Sequence, residues 1–283
     1  MDSDKISFPF KNTLPEVNLA AAAALEAGRA INKIYHGNFS VSRKADGSPV
    51  SEADLESNKI ICEILSSFGY PILSEENKDD KSRLTAKRVW IVDPLDGTEE
   101  FIKQISDFTV MIGLVEGNLP IAGVIYQPVG DILYVAQKGQ GAYFMQYGRW
   151  EKFAVNAKAD LMRVKALMSR NHLSKEEKIF LKELGISEFS QLGSCLKAIE
   201  IAKGNADIYF TFSDKLKQWD TCASYILLKE AGGKMTDMLG NDILYNVEKV
   251  NHQDGILAAN SLISRKVTEE YKKFIINNYE TIK

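Results

Sequence analysis

The stretch WIVDPLDGT, residues 90–98, places an apolar run directly before two aspartates and a tight turn. Residues 89–92 have the length and apolar character of a buried strand. Two carboxylates as close as Asp93 and Asp96 disfavour each other's charged form, so a positive partner is expected beside them. A hard divalent cation such as Mg²⁺ takes oxygen ligands and meets this requirement.

The bulk composition limits the function classes. A chain of 283 residues suffices for one large domain or for two that share a core. We find no apolar run near the ~20 residues that span a bilayer and no signal-peptide pattern at the N-terminus. We therefore expect a cytoplasmic protein with no transmembrane segment. The net charge of −3 argues against a nucleic-acid polymer as partner, but it is compatible with a small anionic ligand.

The pattern of apolar residues changes along the chain and predicts two halves. Residues 1–155 contain an amphipathic helix over 14–35, a helix that begins after Ser51, and an antiparallel meander over 108–144. From residue 156 onward strands and helices alternate, as in an α/β layer. We predict an N-terminal α+β half with the antiparallel sheet and the metal-site loops. The C-terminal α/β half, residues 156–283, then forms the substrate pocket.

The elements predicted in the C-terminal half are strands 164–168, 189–192, 206–210 and 256–259, and helices 174–184, 194–203, 219–231 and 263–277.

Acidic residues stand at the ends of several predicted elements, where functional groups of α/β proteins gather. They are Asp54, Glu75, Asp93, Asp96 and Asp220. Taken alone, Asp54 and Asp220 are better interpreted as helix-start residues that the helix dipole favours. Glu75, taken alone, fits a solvated loop. The pair Asp93 and Asp96 at the end of a buried strand has no such simple explanation.

The turn after residue 92 suits the hydrolysis of a phosphate ester. Two Mg²⁺ ions ~4 Å apart can activate water and stabilise a leaving oxygen, and Asp93 and Asp96 can each face one ion or bridge two. The carbonyl of Leu95 is placed to add a ligand. Gly97 and Thr98 begin a helical turn whose backbone N–H groups can receive a phosphate. The spacing therefore predicts metal-assisted attack by water.

This turn, together with Trp219-Asp220, resembles the two signatures of the inositol monophosphatase superfamily, the lithium-sensitive Mg²⁺ phosphatases. The segments SEE (74–76) and KADGSPVSEAD (44–54) resemble further elements of that family in the same order. The resemblance covers essentially the whole chain. It implies a fold of mixed α+β and α/β class, the layered α-β-α-β-α sugar-phosphatase fold of the inositol monophosphatase type.

The resemblance also implies a set of site residues. Two or three Mg²⁺ ions would be held by Glu75, Asp93, the Leu95 carbonyl, Asp96 and Asp220. Thr98, oriented by Asp54, would position the attacking water and help to deprotonate it. The backbone N–H groups of Gly97 and Thr98 would hold the scissile phosphate, and Asp220 would also border the substrate. We expect a monomer or a homodimer.

Within the superfamily the sequence is most similar to the 3′(2′),5′-bisphosphate nucleotidase branch, the bacterial CysQ type. The segments DGTEEFIK (96–103), SRNH (169–172) and GSCLK (193–197) carry this likeness. It implies removal of the 3′-phosphate of adenosine 3′,5′-bisphosphate, and of its sulfated analogue in some members. His172, Ser194 and Lys197 would contact the nucleotide. Ser194 and Lys197 are predicted at the start of a helix, on one side of it.

One departure from the branch concerns the pocket. Thr211 stands where an arginine is expected, and threonine cannot make the bidentate phosphate contacts of arginine. Lys215 or Lys217 would replace it, unless both are solvated loop charges. The alternative function is therefore an inositol monophosphatase or a broader sugar phosphatase. A nucleotidase needs a slot for adenine, and residues 209–212 are candidates for lining it, although alternate members of that strand belong to the core.

A protein that only senses phosphate or metal is a further alternative. A sensor would need neither Thr98 nor Asp54. Both are present here together with all the expected metal ligands, which favours an enzyme.

Overall fold

A computed structural model describes residues 6–44 and 47–277. The helices are α1 (Pro15–Tyr35), α2 (Glu52–Leu65), α3 (Thr98–Ile102), α4 (Lys175–Glu183), α5 (Leu196–Ala202), α6 (Gln218–Glu230) and α7 (Ser261–Asn277). The strands are β1 (Val41–Arg43), β2 (Pro49–Ser51), β3 (Ile72–Ser74), β4 (Arg88–Asp96), β5 (Thr109–Glu116), β6 (Leu119–Gln127), β7 (Ile132–Gln137), β8 (Gly141–Gln146), β9 (Arg149–Phe153), β10 (Ala166–Ser169), β11 (Phe189–Leu192), β12 (Ile208–Thr211), β13 (Gly233–Thr236) and β14 (Ile256–Asn260).

Two sheets organise the chain. The larger one has seven strands in the sequential order β3 to β9, antiparallel throughout except that β3 and β4 are parallel. The smaller one has the order β11-β10-β12-β14-β13. In it β10 runs parallel to both of its neighbours, whereas β14 runs antiparallel to β12 and β13. The smaller sheet is therefore mixed, because β14 runs in the direction opposite to the other four strands.

The helices and sheets stack in five layers, which confirms the predicted α-β-α-β-α arrangement. Helices α1 and α2 cover one face of the seven-stranded sheet. Helices α5 and α6 lie between the two sheets. Helices α4 and α7 cover the outer face of the five-stranded sheet. Three apolar cores fill the spaces between the layers: one lies under α1 and α2, one surrounds α5 and α6 and reaches both sheets, and one lies under α4 and α7.

Local sequence signals explain the first two helices. The apolar stripe of α1 is fully buried, from Val17 to Ile31. Helix α2 begins at a capping box: the Ser51 hydroxyl accepts from the N–H of Ala53, and the Asp54 carboxylate accepts from the Ser51 N–H. The capping box satisfies backbone N–H groups that the helix itself leaves free. It confirms Ser51 as the N-cap.

Several elements differ from the sequence-based expectation. Strands β2, β9 and β13 are absent from the predicted elements, because each is short and has few apolar residues, and β8 is predicted only in part, as the end of the meander over 108–144. The helix predicted from residue 194 begins at Leu196, since Ser194 adopts a left-handed backbone with φ of 56°. Ser194 is therefore not on the same helical face as Lys197. The strand predicted over 41–45 ends at Arg43, and Ala45 and Asp46 lie outside the described residues.

The division at residue 155 stays a prediction. All strands of the seven-stranded sheet precede it and all strands of the five-stranded sheet follow it, yet α6 packs against both sheets. Within residues 6–44 and 47–277, no helix is both long and apolar enough to cross a bilayer.

The contact between α6 and the larger sheet depends on two glycines that face each other across β5 and β6. Gly113 pairs with Gly123. A Cβ on Gly123 would lie 2.5 Å from Cγ2 of Ile226 and 2.7 Å from the carbonyl oxygen of Ala223, and a Cβ on Gly113 would lie 2.4 Å from Sγ of Cys222. The absence of side chains at these two positions lets the helix approach the sheet closely.

Replacing Gly123 by alanine is therefore expected to lower the free energy of unfolding by about 1–3 kcal/mol, since overpacking forces α6 away from the sheet. Gly37→Ala is the matched control, because its new Cβ would lie 3.5 Å from the nearest atom, an ordinary contact. Chemical denaturation of both variants measures the difference. Equal stability of the two variants would contradict the close packing of α6.

Candidate active site

The ends of both sheets border one large cavity of about 1260 Å³. Its lining includes residues from β4, α3, the 193–197 segment, β12, α6 and α7. The cavity contains most of the residues that the sequence singled out, namely Glu75, Asp93, Leu95, Asp96, Gly97, Thr98, His172, Ser194, Lys197 and Asp220. Asp54 is buried behind Thr98.

Three carboxylates converge at one end of this cavity. Oxygens of Glu75, Asp93 and Asp220 all lie within 4.8 Å of one another. Glu75 follows β3, and its N–H donates to the carbonyl of Val92, so the parallel pairing of β3 and β4 brings it beside Asp93. Asp220 reaches the same place from the first turn of α6. The three residues, which we call the acidic cluster, come from three separate elements.

The acidic cluster fits a divalent cation with oxygen ligands. Burial raises the pKa of Asp93 well above its usual range, and Glu75 adds to this shift through its charge. Burial likewise raises the pKa of Asp220, again with Glu75 as the leading charged neighbour. A cation among these oxygens would favour their ionised forms, and carboxylates are the ligands that hard divalent cations prefer.

Asp96 lies to one side of the acidic cluster. Its Oδ2 accepts hydrogen bonds from the hydroxyl of Ser194 and, at 2.5 Å, from the N–H of Cys195. Burial raises its pKa, although the bond from Ser194 opposes the shift. The structure therefore connects Asp96 to the 194–195 segment, and its role as a metal ligand stays a prediction.

The partly exposed Thr98 and the buried Asp54 form a hydrogen-bonded pair. The Thr98 hydroxyl donates to Oδ1 of Asp54 at 2.8 Å. The other carboxylate oxygen, Oδ2, accepts from the N–H of Ser51 at 2.8 Å and from its hydroxyl at 2.6 Å. Burial raises the pKa of Asp54. The capping box of α2 thus fixes the carboxylate that orients the Thr98 hydroxyl.

The turn before Thr98 requires glycine. Gly97 has φ of 101°, a left-handed conformation that glycine tolerates best. A Cβ at this position would also lie 2.7 Å from the carbonyl oxygen of Asp107. This turn allows α3 to begin at Thr98, next to the acidic cluster.

Lys44 provides a positive charge beside the acidic cluster. Its Nζ lies 2.7 Å from Oε1 of Glu75 and 2.6 Å from Oε1 of Glu76. These ion pairs tie the loop of the β1–β2 hairpin to the end of β3. The sequence motif included Lys44, but only the fold shows which carboxylates it contacts.

The predicted nucleotide contacts have different surroundings. His172 is exposed on the cavity rim. Lys197 is buried. Its Nζ donates to the carbonyl of Ser194 at 2.5 Å and lies 5.1 Å from the centre of the Tyr209 ring. Burial lowers its pKa. Roles of His172, Ser194 and Lys197 in holding a nucleotide stay predictions.

Thr211 is buried, and its partner is Glu177 of α4. The Thr211 hydroxyl and the N–H of Phe212 both donate to Oε1 of Glu177, each at 2.7 Å. Sequence reasoning missed Glu177 because its spacing from Thr211 follows no motif. It also missed Tyr271 of α7, which lines the cavity although it lies far along the chain from the other site residues.

Comparison with known proteins shows the family to which this fold belongs. The model of the Inositol monophosphatase family matches residues 14–281. The 3′(2′),5′-bisphosphate nucleotidase CysQ of Buchnera aphidicola is 35% identical over 232 residues, which are 79% of this chain and 85% of that protein. An inositol-1-monophosphatase of Mesorhizobium japonicum is 33% identical over 269 residues, 91% of this chain and 96% of that protein.

A solved structure supports the same grouping. The crystal structure of CysQ from Bacteroides thetaiotaomicron aligns with a TM-score of 0.74 and 34% identity, over 88% of this chain and 99% of that one. A layered fold with carboxylates at the strand ends defines a class of phosphatases. This chain belongs to the inositol monophosphatase family, whose members are metal-dependent, and the prediction of a phosphatase is thereby confirmed.

Proposed function

We propose that this protein is a Mg²⁺-dependent phosphomonoesterase that removes the 3′-phosphate of adenosine 3′,5′-bisphosphate to give AMP and phosphate. The observation that carries the proposal is the acidic cluster beside the Thr98–Asp54 pair. The relatives named 3′(2′),5′-bisphosphate nucleotidase support the choice of substrate. The sulfated analogue of this nucleotide is proposed as a further substrate.

Glu75, Asp93 and Asp220 would hold the magnesium, with the Leu95 carbonyl and Asp96 as further ligands in a set of two or three ions. Bound Mg²⁺ would lower the pKa of water and neutralise charge that develops on the phosphate.

The protein's own groups would align the reaction. The Thr98 hydroxyl accepts a proton from the attacking water and passes its own proton to Oδ1 of Asp54. The raised pKa of Asp54 suits a group that takes up a proton. The N–H groups of Gly97 and Thr98 hold the scissile phosphate in line for attack.

Water is the proposed nucleophile because the cysteines are poor candidates. Burial raises the pKa of Cys62 and, much more strongly, those of Cys195 and Cys222. A thiol needs a lowered pKa to act as a thiolate at neutral pH. The phosphate is therefore released in one displacement, without a covalent enzyme intermediate.

Hydrolysis of inositol phosphates or sugar phosphates is the second candidate function. The relative from Mesorhizobium japonicum covers more of this chain than the nucleotidases do. Thr211 is neutral and is buried against Glu177, so this position offers no positive charge to a second phosphate. Lys215 and Lys217 line the cavity, as do Arg43 and Lys197, and that charge would come from among these residues.

Phosphate release with Mg²⁺, measured at equal concentrations of adenosine 3′,5′-bisphosphate, inositol 1-phosphate and fructose 1,6-bisphosphate, tests the proposal. We expect kcat/KM for the nucleotide to exceed the other two by at least about tenfold, because only the nucleotide offers a base to the cavity, and inositol 1-phosphate also lacks a second phosphate. Chelation of Mg²⁺ should abolish release from all three. A preference for inositol 1-phosphate would select the second candidate function.

A further inference from the structure

Aromatic side chains line the part of the cavity formed by β12 and α7. Phe212 follows β12, and Tyr271 lies on α7; both are partly exposed and both border the cavity. Their ring centres are 5.0 Å apart and their planes are tilted by 40°. We call Phe212 and Tyr271 the aromatic wall.

Three buried rings pack against the aromatic wall, and one of them, Phe274, also borders the cavity. Phe180 and Phe210 have no exposed surface, and Phe274 is 2% exposed. Phe180 contacts both members of the wall, with ring centres 5.7 Å from Phe212 and 5.6 Å from Tyr271. Rings that are packed on one side in this way keep a fixed position for whatever lies on the other side.

Glu177 fixes the backbone that carries Phe212. Its Oε1 accepts from the N–H of Phe212 and from the hydroxyl of Thr211, and its Oε2 accepts from the N–H of Ser174 at 2.8 Å. The N-terminus of α4 is thereby joined to the end of β12. The ring of Phe212 is held by its backbone as well as by its neighbours.

The cavity presents different chemistry along its length. Its lining is acidic at Asp93 and Asp220, where metal and phosphate would bind. Lys215, which also borders the cavity, adds a positive charge. A volume of about 1260 Å³ exceeds what a small phosphate ester would fill. A flat aromatic group stacks on the wall with its whole face, whereas the hydroxyl-covered ring of an inositol would gain less there.

We propose that the base of the nucleoside lies against the aromatic wall, and that Tyr271 of the C-terminal helix is a specificity-determining residue. This inference rests on the proposed nucleotidase function. It assigns to α7 a role in selecting the leaving group, which is separate from the phosphate chemistry at the other end of the cavity.

Tyr271→Leu tests the inference because leucine keeps apolar contact with Phe274 but has no ring to stack. The assay compares adenosine 3′,5′-bisphosphate with its base-free analogue, 1-deoxyribose 3,5-bisphosphate. Since stacking of a base on an aromatic ring is strong, we expect KM for the nucleotide to rise about tenfold. The value of kcat should change little, and kcat/KM for the base-free analogue should stay within about twofold. Tyr271→Phe should behave as the unaltered protein.

Tyr147→Ala is the matched control, since Tyr147 is 89% exposed and does not border the cavity. Hydrolysis of the nucleotide by the unaltered protein tests the proposed function by itself. If that protein hydrolyses the nucleotide but Tyr271→Leu leaves its KM unchanged, the inference is wrong and the proposed function stands. An equal loss with both substrates would also overturn it, because the effect would then be structural.

Discussion

Asp93→Asn is expected to lower kcat by at least about a thousandfold while the fold is retained. Asp93 is the most deeply buried member of the acidic cluster and is proposed to be one of the residues that hold the magnesium. Asparagine keeps the shape of the side chain, but it offers one neutral oxygen in place of two carboxylate oxygens that share a negative charge. The loss should appear as phosphate release measured at saturating Mg²⁺ and substrate.

Thermal unfolding separates the metal role of Asp93 from a structural role. Without Mg²⁺, Asp93→Asn should be at least as stable as the unaltered protein, because it removes a buried acid whose charge Glu75, Asp96 and Asp220 oppose. At Mg²⁺ a hundredfold above its dissociation constant, binding should stabilise the unaltered protein by about 2.7 kcal/mol. The variant should lose most of that gain.

Asp242→Asn is the matched control, because Asp242 is exposed and is not one of the cluster residues. It should keep both the activity and the stabilisation by Mg²⁺. An Asp93→Asn variant that retained most of its Mg²⁺-dependent activity would show that the metal assignment is wrong.

The parts of the site that the sequence predicts are those encoded within a few residues. The Ser51–Asp54 capping box and the Gly97 turn depend on local spacing, so both are recognisable before the fold is known. The position of Glu75 beside Asp93 follows from two strand ends that meet at one sheet edge. The local pattern singles out only Asp93 and Asp96, whereas Glu75 and Asp220 enter the predicted site through the resemblance to the family.

The substrate side of the cavity depends on contacts between distant segments. The pairing of Thr211 with Glu177 joins a strand to a helix 34 residues earlier in the chain, and no periodic pattern encodes such a contact. Tyr271 occupies an ordinary partly buried position of α7, so its sequence context predicts only helix packing. The left-handed backbone of Ser194 also shortens the predicted helix, because tertiary contacts to Asp96 hold that residue outside it.

The close approach of α6 connects the fold to the metal chemistry. Gly113 admits the side chain of Cys222, which is two residues beyond Asp220 on the same helix. The position of Asp220 relative to Asp93 is thus fixed by how deeply α6 sits on the sheet. Gly123→Ala should therefore lower Mg²⁺ affinity as well as stability, since it moves the helix that carries one of the ligands.

Thr98→Ala is expected to lower kcat by about 10²–10⁴-fold, the usual contribution of a positioned proton-transfer group. Alanine removes the hydroxyl that is 2.8 Å from Oδ1 of Asp54, but it leaves the backbone N–H of residue 98 and the acidic cluster in place. Steady-state assays at saturating Mg²⁺ measure the loss. Thr98→Ser restores the hydroxyl and should recover most of the rate.

A comparison of Thr98→Ala with Asp93→Asn distinguishes residues that hold the metal from residues that transfer the proton. Both should be nearly inactive, but Thr98→Ala should keep the thermal stabilisation by Mg²⁺ that Asp93→Asn loses. If Thr98→Ala lost that stabilisation too, Thr98 would belong to the groups that hold the metal, and its proton would not travel to Asp54. If Thr98→Ala stayed active, the carboxylate of Asp54 would serve mainly as the cap of α2, where it accepts two hydrogen bonds from Ser51.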